Sequence, residues 1–376
     1  MTPSEIFLRR RYNERMVALA GRGEGQGQAE GHRDRDGREF FRAALRERTA
    51  SLLSRSLRGG RDETVRAFED TYRATTARYL RQSYLFQQVF RKLEEGAVDF
   101  IVFKGPVLAE TVYQDPGVRP MTDVDILVRP LDLARAHRLL ADLGYSCGLP
   151  ETAVARLNPY HNSLLYHEPQ GAIVHLYWHL VNLYLGPRRS LDNVPMEKIW
   201  GAAEGAQVCG CRVRTLCPAD TFVYLCLHAF GHGFTPLILI FDLDAVRRGR
   251  DVSFWQQVVA RAHECGWQRY VHHALTVLAG WGFPVDDIPS FVHERLKPGH
   301  ISYFERVFIT AALCRRPAGL FGRLRWALLG MQPGLVDRLR FLFENIFVPR
   351  RDMAVVRQKD PARIRPSDYL HRLFAS

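Results

Sequence analysis

The pattern of apolar and polar positions changes near residues 97 and 218. Between these points short apolar runs predict strands at 99–103, 122–128, 163–166 and 172–178, and amphipathic spacing predicts helices at 106–113 and 131–143. Gly144 follows the second helix, as is common at helix ends. This alternation of strands and helices predicts a small core that mixes α and β structure.

Helical patterns flank this core on both sides. Before it, apolar spacing predicts helices at 40–57 and 62–95, the second with a buried stripe at Leu80, Tyr84, Val89 and Leu93. After it, the clearest predicted helices are 219–232, 237–247, 254–266, 268–281 and 301–314. The predicted fold class is therefore α+β: a small mixed β-sheet core with N-terminal helices and a helical C-terminal domain.

Changes in composition predict four segments. Residues 1–38 form a basic leader and flexible linker, because 21–37 are Gly-rich and polar without an apolar period. The other segments are the N-terminal helices at 39–96, the α/β core at 97–217 and the helical domain at 218–376. We expect the core to carry the chemistry and the helical domain to select the substrate.

The net charge favours acidic partners. The 52 Lys and Arg residues exceed the 40 Asp and Glu residues and give a formal net charge of +12. Nucleoside triphosphates, nucleic acid and anionic membrane surfaces all suit such a charge. The basic residues form no stripe interleaved with aromatic residues, and no recognised nucleic-acid-binding motif occurs. Nucleic acid is therefore an unfavoured partner.

Apolar runs and cysteines bear on location. No run of about 18 apolar residues occurs, so we expect no membrane-spanning segment, and the first residues lack the apolar stretch of a secretory signal. Seven scattered cysteines favour reduced thiols and a cytoplasmic location. Cys209, Cys211 and Cys217 resemble half of a zinc site. Without a second ligand pair, we interpret them as small buried or half-buried residues on a strand.

The second predicted strand carries Asp123 and Asp125. Because the side chains of a strand alternate between its faces, both carboxylates project from one face while Val124 and Ile126 enter the core. The strand rise separates the two Cα atoms by about 6.7 Å. That spacing suits ligands of divalent cations that are shared with substrate phosphates. The other interpretation is a solvent-facing strand with incidental acidic residues.

A second candidate feature is the junction of the first strand with the helix after it. Lys104 and Gly105 stand where free backbone N–H groups and the helix dipole attract phosphate. Gly105 permits close approach of a phosphate, and Lys104 supplies a charge or packs structurally. Arg119 is predicted either to grip a phosphate or to form a salt bridge with one of the aspartates.

Together these motifs resemble the uncharacterised nucleotidyltransferase family of the polymerase-beta-like superfamily. The residues that carry the resemblance are Lys104-Gly105, Arg119, 123–128 and Gly144-Tyr145. The resemblance implies that the two aspartates bind a divalent cation, Mg²⁺ or Mn²⁺, and that Lys104 and Gly105 contact nucleotide phosphates. It also implies transfer of a nucleoside monophosphate from an NTP, with ATP favoured, to an unidentified acceptor.

One position departs from the family pattern. The superfamily usually supplies a third carboxylate from a neighbouring strand, and the matching residue here is His175, with Tyr177 where the family has a histidine. Both residues share one face of their predicted strand. Three interpretations stay open: His175 is a general base, Glu168 from the adjacent turn takes that role, or the protein binds a nucleotide without transferring it.

The helical half supplies further candidate substrate-lining residues. His228 and His232 lie four residues apart on one helix face. Without a third ligand nearby, they are predicted to line the substrate or the core rather than to bind a metal. Asp242 follows an apolar run and is predicted to cap a helix or pair with a basic residue. Tyr177 and Glu168 complete this predicted set.

The leading hypothesis is a metal-dependent nucleotidyltransferase that acts on a small molecule, a peptide or a protein. The main alternative is a catalytically degenerate nucleotide-binding or regulatory module, which the histidine at position 175 allows. A nucleic-acid-binding protein is the third and least favoured hypothesis.

Overall fold

A mixed sheet of six strands organises the part of the chain that the computed structural model describes. The described residues are 14–19, 34–57, 62–154, 163–181, 194–314, 320–332, 334–346, 353 and 364–367. The strands are β1 (Phe100–Phe103), β2 (Val124–Val128), β3 (Ser163–His167), β4 (Ile173–Tyr177), β5 (Glu204–Val208) and β6 (Cys211–Thr215). Their spatial order is β3-β4-β2-β1-β6-β5. Strand β2 is central, since it pairs antiparallel with β1 and parallel with β4.

Helices precede, interrupt and follow the sheet. Residues 14–19 are helical. The helices that follow them before the sheet are α1 (Asp34–Arg46), α2 (Ala50–Ser54) and α3 (Glu63–Glu95). Within the core lie α4 (Gly105–Val107), which continues as a π-helix over Leu108–Val112, then α5 (Leu133–Asp142), α6 (Glu151–Val154) and α7 (Met196–Ala202). The C-terminal helices are α8 (Pro218–Gly231), α9 (Ile238–Arg247), α10 (Val252–Cys265), α11 (Gln268–Gly280), α12 (Ser290–Leu296), α13 (Tyr303–Leu313), α14 (Leu320–Met331) and α15 (Leu335–Ile346). The predicted α+β class is confirmed.

The two faces of the sheet belong to separate cores. On one face, Ile126 of β2 packs in a core with Phe90 of α3 and Leu140 of α5. On the other face, Phe103 of β1 belongs to a core that includes Phe222 of α8. Since side chains of β2 alternate between these faces, the two acidic positions face the helical half of the protein.

The predicted strands and C-terminal helices agree closely with the structure. Each of the four predicted strands and five predicted C-terminal helices begins and ends within two residues of the observed element. Proline and glycine residues mark many of these ends, so the apolar period and the chain breaks locate the same boundaries. The division into four segments stays a prediction.

The predicted linker is wrong at its C-terminal end. It extends to residue 37, but α1 begins at Asp34, and residues 20–33 lie outside the described part of the chain. A Cβ on Gly37 would come 2.5 Å from the Thr64 side chain of α3. The glycine at this position therefore permits close packing of two helices.

The predicted buried stripe of α3 is also partly wrong. Leu80 and Tyr84 are 62% and 64% exposed. The residues of α3 that are buried are Val65, Phe68, Tyr79, Gln82, Leu85, Phe86, Val89, Phe90 and Leu93. The aromatic residues one turn apart, Phe86 and Phe90, determine which side of the helix faces the sheet.

The hairpin β5–β6 is missing from the predicted elements. Its turn contains Cys209 and Gly210, both at positive φ (51° and 72°). Strand β6 pairs in parallel with β1 and so attaches the hairpin to the sheet. Cys209 and Cys217 are buried and Cys211 is half-buried, all as free thiols. The alternating pattern from Cys211 to Thr215 beside a Cys-Gly turn is the signal that predicts such a hairpin.

A buried carboxylate ties α13 to α11. Ser302 and Glu305 form a capping box at the start of α13. Glu305 also accepts a hydrogen bond from Arg269 at 2.8 Å and lies 3.1 Å from His273 Nε2. Burial opposes the charged form, but hydrogen bonds from His273, Ser302 and Arg269 prevail and lower the pKa of Glu305 to about 2.

We expect Glu305→Gln to lower the free energy of unfolding at pH 7 by about 2 kcal/mol, because the substitution removes the carboxylate that pairs with Arg269. The depressed pKa of the folded state makes the contribution of Glu305 complete above its unfolded pKa of about 4.3. The contribution disappears as pH falls through that value toward about 2. Urea unfolding at pH 7 and pH 3 measures both points, with exposed Glu294→Gln as the control. Equal stability of the Glu305 variant and the original protein at pH 7 would contradict this expectation.

Candidate active site

The acidic pair lies at the centre of the sheet. Asp125 belongs to β2 and pairs in register with Phe103 of β1 and with His175 of β4. Its side chain is 4% exposed. The Asp123 side chain, just before the strand, is 29% exposed. The face toward the helical half therefore presents one buried and one accessible carboxylate.

His175 completes a cluster of three potential metal ligands. Its Nδ1 atom lies 3.8 Å from Asp123 Oδ2 and 3.6 Å from Asp125 Oδ1. One ligand atom from each residue lies within 4.8 Å of the others, and this is the only such group of His, Cys, Asp and Glu side chains among the described residues. Carboxylates are ligands for Mg²⁺ and Mn²⁺, and an imidazole adds a nitrogen donor that transition metals accept. The three residues therefore fit a divalent cation.

Hydrogen bonds fix the orientation of the His175 ring. Its Nε2 atom lies 2.8 Å from Ser163 Oγ on β3, and its Nδ1 atom lies 2.9 Å from the Tyr177 hydroxyl. Burial lowers the pKa of His175, and the charge of Lys104 lowers this pKa further, so the ring is neutral at pH 7. When the Nε2–H group donates to Ser163, the Nδ1 lone pair accepts a hydrogen bond from the Tyr177 hydroxyl. A cation bound between Nδ1 and the two carboxylates would take the place of that hydrogen bond.

Lys104 forms an ion pair with the buried aspartate. Its backbone has a φ of 56°, which is uncommon for a residue with a side chain, at the turn from β1 into α4. Its Nζ atom lies 2.7 Å from Asp125 Oδ1 and 3.4 Å from the Tyr177 hydroxyl. Burial alone would lower the pKa of Lys104, but attraction to Asp125 outweighs burial and raises this pKa. Lys104 thus keeps a positive charge beside the acidic pair.

Gly105 lies directly against the backbone of the acidic segment. Its φ is 27°, and a Cβ at this position would come 2.9 Å from the carbonyl oxygen of Asp123. Real Cβ atoms essentially never approach a backbone oxygen so closely. Glycine is therefore required here by the contact between the start of α4 and the start of β2.

A buried ion pair joins the core to the helical half. Arg119 Nε and Nη2 donate to the two carboxylate oxygens of Asp242 on α9, at 2.9 and 2.8 Å. The Tyr113 hydroxyl donates to the same carboxylate at 2.9 Å, and Arg119 Nη1 donates to the Gly105 carbonyl at 3.4 Å. Burial would lower the pKa of Arg119, but Asp242 outweighs burial and raises this pKa. Arg119 thus forms a salt bridge, but its partner is Asp242 and not Asp123 or Asp125.

The other predicted site residues lie around this cluster. The rings of His228 and His232, at the end of α8, lie 4.5 Å apart. Burial lowers the pKa of both histidines, and the charge of Lys104 lowers it further. Glu168 lies in the β3–β4 turn, where its carboxylate accepts a hydrogen bond from the Gln170 backbone at 2.7 Å. Both histidines therefore lie near Lys104. The Glu168 carboxylate, in contrast, is hydrogen-bonded within the β3–β4 turn.

Comparison with known families identifies the chain. A family model described as an uncharacterised nucleotidyltransferase matches residues 33–282, which include the three-residue cluster and the buried ion pair. The chain belongs to this nucleotidyltransferase family. The resemblance seen in the motifs is thereby confirmed, together with the general assignment to nucleotidyl transfer. No match was found among curated proteins.

Two residues at the site of this nucleotidyltransferase are absent from the predicted set. Ser163 holds the His175 ring, and the ring centre of Tyr224 lies 5.5 Å from Lys104 Nζ. Tyr224 is four residues before His228, so the shared helix face is a signal that points to it. Ser163 becomes recognisable only from the pairing of β3 with β4.

None of the described helices in this nucleotidyltransferase combines the length and the apolar character that crossing a membrane requires.

Proposed function

We propose that the protein transfers a nucleoside monophosphate from an NTP to a nucleophile of an acceptor molecule, with Mg²⁺ or Mn²⁺ held by Asp123, Asp125 and His175. The observation that supports this proposal is the convergence of the three ligand atoms within 4.8 Å. The bond from the acceptor to the α-phosphorus forms as the bond from that phosphorus to pyrophosphate breaks. A divalent cation at this place would stabilise the charge that develops on the phosphates. ATP is the favoured nucleotide, and the acceptor class and a cytoplasmic location stay predictions.

We assign His175 to metal binding rather than to proton transfer. Its Nδ1 atom faces both carboxylates, while its Nε2 atom lies 2.8 Å from the Ser163 hydroxyl. This arrangement is typical of a ligating histidine whose second nitrogen is fixed by a hydrogen bond. Glu168, the other candidate for the general base, has its hydrogen bond in the β3–β4 turn. The chain departs from the family's third carboxylate but keeps a third donor at that position.

Lys104 and Arg119 have different roles in this proposal. Lys104 keeps its charge 2.7 Å from Asp125, where it would meet the phosphates of an NTP bound at the acidic pair. Arg119 is held by Asp242 and donates to the carbonyl of Gly105, so we assign it to positioning the turn that carries Lys104. Gly105 serves the same turn through its contact with Asp123.

A second candidate function is nucleotide binding without transfer. The observation that favours it is the neutral imidazole at a position where the family pattern has a third carboxylate, because a neutral ligand binds cations less strongly. In that case the protein would bind an NTP and release no pyrophosphate.

Release of pyrophosphate and transfer of label from α-phosphate-labelled NTPs test the proposal. We expect both reactions with Mg²⁺ or Mn²⁺ in the presence of an extract that contains the acceptor, and neither with a chelator. His175→Ala should lower turnover by roughly 100-fold through loss of a ligand, while His175→Asp should retain turnover because a carboxylate replaces the imidazole. Turnover that persists in the chelator would contradict the proposal. Binding without turnover, restored by His175→Asp, would favour the second candidate function.

A further inference from the structure

Two arginines of the N-terminal helices lie at the edge of the acidic site. Arg78 belongs to α3, and Arg48 lies in the turn between α1 and α2. The side chains of both arginines are exposed. Neither side chain forms a hydrogen bond or an ion pair with the described residues. They therefore differ from Lys104 and Arg119, whose charges are paired with Asp125 and Asp242.

Arg78 lies at a small cleft next to the acidic site. Arg78 lines this cleft together with Arg119 and with the segment Pro120–Met121 that leads into the acidic pair. One turn further along α3, Gln82 Nε2 donates to the Thr122 carbonyl at 3.5 Å. The helix is thus attached to the residue directly before Asp123, and Arg78 lies beside that attachment.

The turn that carries Arg48 is anchored to α9. Glu47 is 1% exposed, and its carboxylate accepts a hydrogen bond from the Leu237 backbone at 2.7 Å. The carbonyl of Glu47 accepts a second one from the Ile238 backbone at 3.2 Å. Arg48 itself has a φ of 57°, a left-handed conformation that persists only where the surroundings impose it. The same helix α9 carries Asp242, so Arg48 is fixed relative to the Arg119–Asp242 pair.

The charges at this edge do not balance. Asp125 neutralises Lys104, and Asp242 neutralises Arg119. Arg48 interacts electrostatically with Arg119, Asp123, Asp242 and Arg78. Loss of part of its hydration lowers the pKa of Arg48, repulsion from Arg119 lowers this pKa further, and attraction to Asp123 raises it. Two guanidinium groups therefore lie at this edge without an ion pair: Arg48, which interacts electrostatically with Asp123, and Arg78, in the cleft beside Pro120–Met121. Guanidinium groups are well suited to phosphate, because their N–H groups form paired hydrogen bonds with its oxygens.

We propose that Arg48 and Arg78 bind the β- and γ-phosphates of the NTP, so that the N-terminal helices form one wall of the nucleotide site. This inference rests on the proposed function, since it requires an NTP at the acidic pair. The N-terminal helices would then bind the substrate in addition to packing against the sheet.

We expect the double variant Arg48→Gln with Arg78→Gln to bind ATP roughly 10- to 100-fold more weakly in the presence of Mg²⁺. Affinity for ADP should fall less, and affinity for AMP should not change, because AMP lacks both phosphates. Calorimetric titration of the full chain with ATP, ADP, AMP and inorganic pyrophosphate measures these differences. Arg73→Gln, on the same helix but in ion pairs with Glu69 and Asp70, is the matched control and should bind ATP normally.

The outcomes separate this inference from the proposed function. If the original protein binds Mg²⁺-ATP and the double variant binds it equally well, the inference is wrong and the proposed function stands. An equal loss of affinity for ATP and AMP would also overturn the inference, because it would indicate a disturbed fold rather than lost phosphate contacts. If the original protein binds neither ATP nor pyrophosphate, both the inference and the proposed function are overturned. A partial loss of affinity for ATP, with unchanged affinity for AMP, in each single variant would support the inference.

Discussion

Replacing Asp123 and Asp125 together by Asn is expected to abolish metal-dependent NTP binding and to lower turnover by roughly 1,000-fold or more. Asn keeps the size of the side chain but removes the two negative charges that attract a cation. Pyrophosphate release and calorimetric binding of Mg²⁺-ATP measure the effect. Asp142→Asn is the matched control, because that carboxylate is 60% exposed and pairs with Lys92 away from the site.

The single variant Asp123→Asn distinguishes loss of cation binding from a folding defect. It leaves the ion pair between Lys104 and Asp125 intact. In the double variant Lys104 loses its partner and stays buried, which lowers stability as well as activity. We therefore expect the single variant to fold normally and still to lose most of its turnover. Full turnover of a folded double variant would show that the two aspartates do not hold a catalytic cation.

Asp242→Ala is expected to lower the free energy of unfolding by about 3–5 kcal/mol, because it leaves the buried charge of Arg119 without a partner. It also removes the hydrogen bond from Tyr113. Urea unfolding followed by circular dichroism measures the loss. Arg119→Met combined with Asp242→Leu removes both charges, so we expect this double variant to recover much of the stability of the single variant.

The stability of these variants also separates two interpretations of Arg119. A residue that only gripped phosphate would change affinity and leave the unfolding free energy unchanged. If Asp242→Ala lowers the free energy of unfolding by less than about 1 kcal/mol, the buried ion pair contributes no more to stability than an exposed ion pair does. The structure favours the large effect, since the Asp242 carboxylate is fully buried.

The local features of the site follow from the sequence because they depend on short-range periodicity. The alternation of side chains along β2 places Asp123 and Asp125 on one face, and this needs no knowledge of the fold. The match of predicted and observed strand ends has the same origin. The family resemblance then supplies the chemistry, and the family match confirms it in general terms.

The long-range features do not follow from the sequence. Arg119 and Asp242 are 123 positions apart, and nothing in either segment specifies the other as its partner. The register that places His175 opposite Asp125 depends on the order of the strands, which the pattern of apolar residues does not determine. The same is true of Arg48 and Arg78, which reach the edge of the site only through packing of the N-terminal helices. The sequence therefore predicts the acidic pair, whereas the structure shows which side chains surround it.

The exposed residues of α3 show the limit of periodicity itself. Leu80 and Tyr84 are apolar and one turn apart, as a buried stripe requires, yet both are exposed. Phe86 and Phe90 form a competing stripe with larger side chains, and burial of these larger side chains is worth more. A single helix with two apolar sides cannot be oriented from its own sequence.

Calorimetric titration of the purified protein with ATP, once with Mg²⁺ and once with a chelator, tests most directly whether the Asp123–Asp125–His175 cluster is a metal-dependent nucleotide site. We expect binding in the presence of Mg²⁺ and no binding in the chelator, with the same pattern for Mn²⁺. Equal binding of ATP in both samples, or no binding of any NTP with either cation, would show that the cluster is not a metal-dependent nucleotide site.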